Sequence, residues 1–141
     1  MQIQRIQTLY LILAIICVAV IFFMPVAYYV GLTEPKTVAA LKPTGELALA
    51  IPMALTVLML VIDIFLYNDL RLQRRVVNFS MLFTVLDAAI IAYIVITGAE
   101  NFTTVIGWSS FLLLGALVFE IMAKRGIDHD SDLLESANRL R

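Results

Sequence analysis

Apolar residues fall in four long blocks along this chain, separated by short polar segments. They run from about Ile6 to Val30, Leu47 to Tyr67, Val76 to Thr97 and Val105 to Ala123. Each is close to the roughly 20 residues that cross a ~30 Å hydrocarbon core at 1.5 Å per residue. In lipid the backbone polar groups must be satisfied by a helix or a closed barrel. Barrel strands alternate apolar and polar residues over about 10 positions, and the runs Leu9–Met24 and Leu112–Phe119 do not alternate. The pattern therefore predicts an all-α fold. A four-transmembrane-helix bundle fills residues 1–126, with helices over about 6–30, 47–67, 76–97 and 105–123. Residues 127–141 form a cytoplasmic amphipathic tail, a short helix opened by Asp128, Asp130 or Ser131, with Leu133, Leu134, Ala137 and Leu140 on one face. The first block exceeds the 7–15 apolar residues of a signal-peptide core and no clear A-x-A site follows it, so it is expected to be retained.

Between the blocks, basic residues set an orientation. Arg5 precedes the first block, Arg71, Arg74 and Arg75 lie between the second and third, and Lys124, Arg125, Arg139 and Arg141 follow the fourth. With four crossings all of these fall on one side, and only Lys36 and Lys42 fall on the other. The excess of Lys and Arg on cytoplasmic loops then predicts that both termini are cytoplasmic. The outer loop from Gly31 to Glu46 reads as a connector in which Thr37 to Leu41 forms one interfacial turn. Gly98 to Thr104 reads as a tight connection. Trp108, Tyr28 and Tyr29 stand near the outer boundary, where aromatic belts lie.

Composition agrees with this picture. The chain has 141 residues, of which 62% are hydrophobic and 15% charged, against about 45–50% and about 25% in a soluble domain. A net charge of −1 gives no electrostatic footprint for nucleic acid. The single cysteine, Cys17, lies in an apolar run and permits no intrachain disulfide. No phosphate loop, metalloprotease motif or nucleophile–base pair is present, so no catalytic, cofactor or metal residue is assigned and the chain is not expected to be an enzyme. Asp128-His129-Asp130 reads as a solvated turn.

Candidate chemistry is confined to polar residues inside the blocks. Asp87 lies roughly 16 Å from Val76 at 1.5 Å per residue, near the bilayer midplane, where a carboxylate costs on the order of 2.5–3.5 kcal/mol. It should face the bundle. Ser80, Thr84 and Asp87 stand at i, i+4 and i+7, with Ala88 and Ala92 alongside, which gives the third helix a small polar stripe suited to close packing. Thr56, Cys17 and Ser109/Ser110 are near the same depth. None is basic, so Asp87 is expected to be held as the neutral acid, donating to a hydroxyl or carbonyl. Asp63 shares a face with Thr56 and is expected to pair with Arg5, Arg74 or Arg75. Glu120, one turn before Lys124, reads as an interfacial pair reaching toward water.

The start of the chain, Met1-Gln2-Ile3-Gln4-Arg5-Ile6-Gln7-Thr8-Leu9-Tyr10-Leu11, resembles the opening of a family of small four-helix membrane proteins from Bacteroidetes, catalogued as a domain of unknown function. Leu72-Gln73-Arg74-Arg75 is similar to that family's basic inner loop. Arg125-Gly126-Ile127-Asp128 and the final Ser136-Ala137-Asn138-Arg139-Leu140-Arg141 resemble its closing pattern. The resemblance implies a multi-pass inner-membrane protein and transfers no catalytic residue. The leading expectation is an accessory or scaffold subunit whose partners are the lipid bilayer and other membrane subunits or a second copy. Arg5, Arg71, Arg74, Arg75, Arg139 and Arg141 would be its cytoplasmic docking surface. The alternative is a small proton-coupled transporter that uses Asp87, with Thr84, Thr56 and Asp63 as the accompanying polar residues.

Overall fold

The computed structural model describes residues 2–31, 38–98 and 102–139, with side chains described for 6–31, 38–98 and 103–137. Four α-helices carry the fold: α1 (Gln2–Phe23), α2 (Leu47–Phe65), α3 (Leu70–Thr97) and α4 (Phe111–Arg139). A three-stranded antiparallel sheet joins them at one end, from β1 (Ala27–Gly31), β2 (Val38–Leu41) and β3 (Phe102–Ile106) in the order β2-β1-β3. Three helical segments, Ile6–Phe23, Leu47–Phe65 and Leu70–Thr97, are long and apolar enough to cross a membrane.

One repeat explains how the helices pack. The buried positions are Gln7, Leu11, Ala14, Val18 and Ile21 on α1, and Leu49, Met53, Thr56, Leu60 and Asp63 on α2. On α3 they are Gln73, Val77, Ser80, Thr84, Asp87 and Ile91, and on α4 Leu113, Ala116, Glu120, Ala123 and Ile127. Each series steps alternately by three and four residues. This is the seam of an antiparallel four-helix bundle, in which inward positions recur every 3.5 residues. The outward faces are apolar: Leu9, Ile16, Phe23, Leu58, Phe65, Phe79, Leu82, Tyr93, Phe111 and Leu114 are all exposed. A bundle stable in water also buries an apolar stripe but keeps its outward face polar.

The element boundaries differ from the sequence expectation in four places, each with a physical cause. The first helix stops at Phe23 and not at Val30, because Pro25 interrupts it and Ala27–Gly31 pairs as β1 with both neighbouring strands. Its residues Tyr28 and Tyr29 are therefore sheet residues. Val38–Leu41, expected to be an interfacial turn, is β2 (Thr37 lies outside the described residues), and Phe102–Ile106 is β3 where the fourth helix was expected to begin. α3 starts at Leu70 and not at Val76, because Asp69 caps it: the Asp69 carboxylate accepts from Arg71 N and Leu72 N, both at 3.1 Å.

The fourth correction concerns the C-terminal segment. No separate tail helix starts after Gly126; α4 is continuous from Phe111 to Arg139, 29 residues, or roughly 44 Å at 1.5 Å per residue. Gly126 stays helical because α1 crosses it closely. A Cβ there would lie 2.6 Å from Gln7 Cγ. That approach lets Gln7 Nε2 donate to Asp130 at 2.7 Å. Arg74 Nε meets Asp128 Oδ1 at 2.6 Å. Asp128 and Asp130 thus tie α4 to α3 and α1 in place of capping a new helix. At the sheet end, Gly107 N donates to Val26 O at 2.8 Å, and a Cβ on Gly107 would lie 2.6 Å from Pro25 O. Ser109 and Ser110 donate to the carbonyls of Pro25 and Val26 at 2.5 and 2.6 Å, which fixes the start of α4 beside the end of α1.

Candidate functional site

Two apolar clusters fill the bundle, and a polar layer separates them. Toward the sheet lie Val18, Ile21, Val26, Leu49, Met53, Ile91, Leu113 and Ala116 among others. Toward the α2–α3 turn lie Leu11, Ala14, Leu60, Val77, Ala123 and Ile127. On α2 the seam passes from Met53 in the first cluster through Thr56 to Leu60 in the second. On α3 it passes from Ile91 through Asp87, Thr84 and Ser80 to Val77, and on α4 from Ala116 through Glu120 to Ala123. The layer therefore consists of Thr56, Ser80, Thr84, Asp87 and Glu120, all buried. α1 contributes Ala14 and Val18 at its edges and no described buried polar side chain between them.

Thr56 Oγ1 lies 3.3 Å from Asp87 Oδ2 and 3.1 Å from Pro52 O. Thr84 Oγ1 lies 3.0 Å from Glu120 Oε1 and 3.1 Å from Ser80 O. A threonine hydroxyl has one hydrogen, so each threonine can satisfy either its carboxyl partner or a backbone carbonyl, not both. When the carboxyl is ionised the hydroxyl must donate to it. When the carboxyl is protonated it can donate to the hydroxyl oxygen, and the hydroxyl hydrogen turns to the carbonyl. Both states are hydrogen-bonded with the same heavy-atom positions. Ser80 Oγ donates to Val77 O at 2.9 Å and also faces Glu120. Asp87 Oδ1 and Glu120 Oε2 are buried with no hydrogen-bond partner. Glu120 lies within electrostatic range of both Asp87 and Asp63.

Asp63 lies one step beyond the second apolar cluster and is fully buried, with neither carboxylate oxygen partnered. The expected ion pair with Arg74 or Arg75 is not formed: Arg74 is engaged by Asp128, and among the described residues no cation reaches Asp63. The Arg5 side chain lies outside the described residues. Gln73 is buried beside Asp63, donating Nε2 to Asp63 O at 3.3 Å while its Oε1 is unpartnered. Glu120 is also corrected. It does not reach toward water with Lys124 but is fully buried and bonded to Thr84, while Lys124 is half-buried one turn away.

Among the cationic residues singled out from the sequence, Arg71, Arg74 and Arg75 are exposed at the end of the molecule where α2 turns into α3. Arg71 also lines a groove with Asn68, Asp69, Leu70, Ser131, Leu134 and Glu135. The side chain of Arg139, and Arg141, lie outside the described residues. Asp128 and Asp130 make the α4 contacts described above, and His129 is exposed beside them. Ser109, Ser110 and Cys17, depth-matched to Asp87 in the sequence, do not join it. The serines bond the sheet-end carbonyls, and Cys17 packs half-buried against the sheet-side cluster.

Glu120 is the functional candidate that sequence reasoning missed. Its signal was present: Leu113, Ala116, Glu120, Ala123 and Ile127 repeat at the spacing of a buried seam, and that register overrides the adjacent Lys124.

An apolar exterior around an interior of buried carboxyl and hydroxyl groups is the arrangement of a small helical membrane protein. The chain belongs to the family described as Domain of unknown function (DUF4293), whose model matches residues 3–140. No curated protein matches it.

Proposed function

We propose that the chain is a four-crossing protein of a bacterial inner membrane, with both termini cytoplasmic, and that its bundle is a small proton-coupled transporter working through Asp87 and Glu120. α4 is the fourth crossing. Its first half, from Phe111, is apolar outside like the other helices, and its charged second half extends beyond the bilayer beside Arg71, Arg74 and Arg75. The excess of basic residues at that end supports its placement in the cytoplasm.

The observation that carries the transport reading is the pairing of each buried carboxyl with a threonine that has a second acceptor on the backbone. Ionisable groups inside a membrane bundle mark ion and proton pathways. Here both protonation states find partners by rotating a hydroxyl, so proton exchange needs no rearrangement of the helices. The apolar clusters on either side close the layer to both ends, as an alternating-access cycle requires of its occluded state.

The test is proton flux across liposomes holding the purified protein and a pH-sensitive dye, started by an imposed pH step in the presence of a panel of candidate coupled substrates (alkali-metal salts, organic cations and weak acids). Wild-type protein is expected to acidify the lumen above the empty-liposome rate. Asp87→Asn and Glu120→Gln, which keep the hydrogen bonding but cannot exchange a proton, are expected to lose that flux while retaining helical content and monodispersity. A wild-type rate equal to that of empty liposomes overturns the proposal.

A second reading, an accessory or scaffold subunit that is not an enzyme, is favoured by a different observation: the exposed Arg71 and Arg75 beside the groove formed with Ser131 and Leu134. It is tested by charge reversal, Arg71→Glu with Arg75→Glu. Membrane proteins that copurify with the wild type should be lost, and an unchanged set counts against docking there.

A further inference from the structure

We propose that the layer between the two apolar clusters binds one small alkali cation, of the sodium or lithium class, in exchange for one proton. The inference rests on the transport reading above and names the ion that the proton is exchanged against.

The donor set comes first. Asp87 Oδ1 and Glu120 Oε2 are fully buried and lack any partner. They come from neighbouring helices, and Thr84, one turn before Asp87 on the buried seam of α3, bonds Glu120 at 3.0 Å, which sets the two carboxyls in one layer. A buried polar atom without a partner costs about 1–3 kcal/mol, more if charged, so these two oxygens are free to take up a ligand that enters the layer. The other oxygens of the layer belong to Thr56, Thr84 and Ser80. Every donor is a hard oxygen, with no nitrogen or thiolate among them, which suits hard cations over transition metals.

Charge then limits the ion. The layer itself holds Asp87, Thr84 and Ser80 from α3, Glu120 from α4 and Thr56 from α2; beyond it stand the buried Asp63 on α2, the half-buried Lys124 on α4, and Cys17 and Tyr10 on α1, which pack against the flanking apolar clusters. No ion pair joins Lys124 to Glu120 among the described residues. Two ionised carboxylates without a counter-charge are not tolerated in such a place. With both protonated the layer is neutral. If one carboxyl O–H releases its proton to water and the resulting carboxylate binds a monovalent cation, the layer is neutral again. The exchange balances at one proton out for one cation in, with the second carboxyl still protonated.

Ligand number and space argue against divalent and organic cations. Calcium takes six to eight oxygen ligands and magnesium keeps several waters. Here two carboxyl groups and three hydroxyls stand between fully buried apolar layers, and among the described residues no three His, Cys, Asp or Glu side chains converge on one position. An organic cation would have to displace Leu60, Met53 or Val77, all fully buried.

The experiment uses the purified full-length protein in detergent at constant ionic strength. Thermal unfolding is followed as choline chloride is replaced by NaCl, LiCl, KCl or CaCl2, and proton release on salt addition is read with a pH dye in weakly buffered solution. Sodium or lithium should raise the midpoint saturably and release about one proton per chain. While the protonated form dominates, the concentration needed should fall tenfold per pH unit. Asp87→Asn and Glu120→Gln should abolish the response, and Glu46→Gln, exposed at the start of α2 and away from the layer, should keep it. If the two layer variants do not fold, the wild-type comparison of sodium with choline and the proton release still decide. Identical unfolding in sodium and choline, or a response to calcium or potassium without one to sodium or lithium, overturns the inference. Proton flux in liposomes with no sodium response leaves the transport reading standing and removes this one, whereas absence of both removes both.

Discussion

The threonines are the residues whose role is easiest to separate from bulk packing. Thr84 places one hydroxyl between Glu120 and the Ser80 carbonyl, so Thr84→Val keeps the volume and removes the hydrogen bond. Losing a buried partner of this kind costs about 1–3 kcal/mol. Thr84→Val is therefore expected to unfold earlier than wild type in a denaturant titration by an amount in that range. Thr84→Ser should recover most of it, and a valine variant as stable as wild type would show that Glu120 does not depend on Thr84. How far these residues could be read in advance is a matter of register. Thr84 and Asp87 were legible because a carboxylate at mid-helix has to face inward and a hydroxyl three residues before it faces the same way, and Thr56 because it lies at the same depth on α2. Glu120 was not, because a nearby Lys124 offered a plausible exposed pair. Only the buried seam of the whole helix shows that position 120 points inward and position 124 lies at its edge. Asp63 shows the same effect for one of its three expected partners: Arg74 turns outward to Asp128.

At the level of elements, the existence of four helices followed directly from block length, while their ends depended on short polar contacts. Asp69 is one such contact. Asp69→Ala removes the acceptor for two α3 amides and should destabilise the protein by about 1 kcal/mol, measured as a shift in the unfolding midpoint; Asp69→Asn or Asp69→Ser should restore it. Gly126 is another. A glycine inside a helix costs up to about 1 kcal/mol relative to alanine, so Gly126→Ala would stabilise an isolated α4. In the folded protein the new methyl meets Gln7 Cγ, and the variant should be destabilised, with loss of the Gln7–Asp130 bond. A gain in stability would mean that α1 does not pack on Gly126. The sheet was the least legible element. Tyr28-Tyr29-Val30 and Thr103-Thr104-Val105-Ile106 have the β-branched and aromatic composition of strands, but each adjoins an apolar block long enough to absorb it into a predicted helix. Pairing across residues far apart in the chain, Ala27 with both Leu41 and Ile106, decides otherwise.

For the whole molecule, the seam and the sheet together dictate how the bundle can move. The sheet joins α1, α2, α3 and α4 at one end through β1, β2 and β3, and Gly107, Ser109 and Ser110 lock α4 to the Pro25–Val26 carbonyls there. The opposite end is held by the Arg74–Asp128 and Gln7–Asp130 side-chain contacts, which are exposed or partly so and worth little individually. Opening should therefore be easier at the end bearing the arginines than at the sheet end, which must yield in the other half of an alternating-access cycle. Such opening toward the cytoplasm requires α4 to cross the bilayer. Its first turns lie with the sheet and its last turns with the α2–α3 turn, so in the proposed four-crossing topology the two ends face opposite compartments. The crossing is tested by single cysteines in a Cys17→Ala background: Val105→Cys before α4 and Leu133→Cys near its end, both positions about half exposed, at 49% each. In intact spheroplasts a membrane-impermeant maleimide should label Val105→Cys directly and Leu133→Cys only after lysis. Labelling of both from the same side would reduce the chain to three crossings, put the charged half of α4 and the α2–α3 turn in different compartments, and break the layer in which Glu120 meets Asp87.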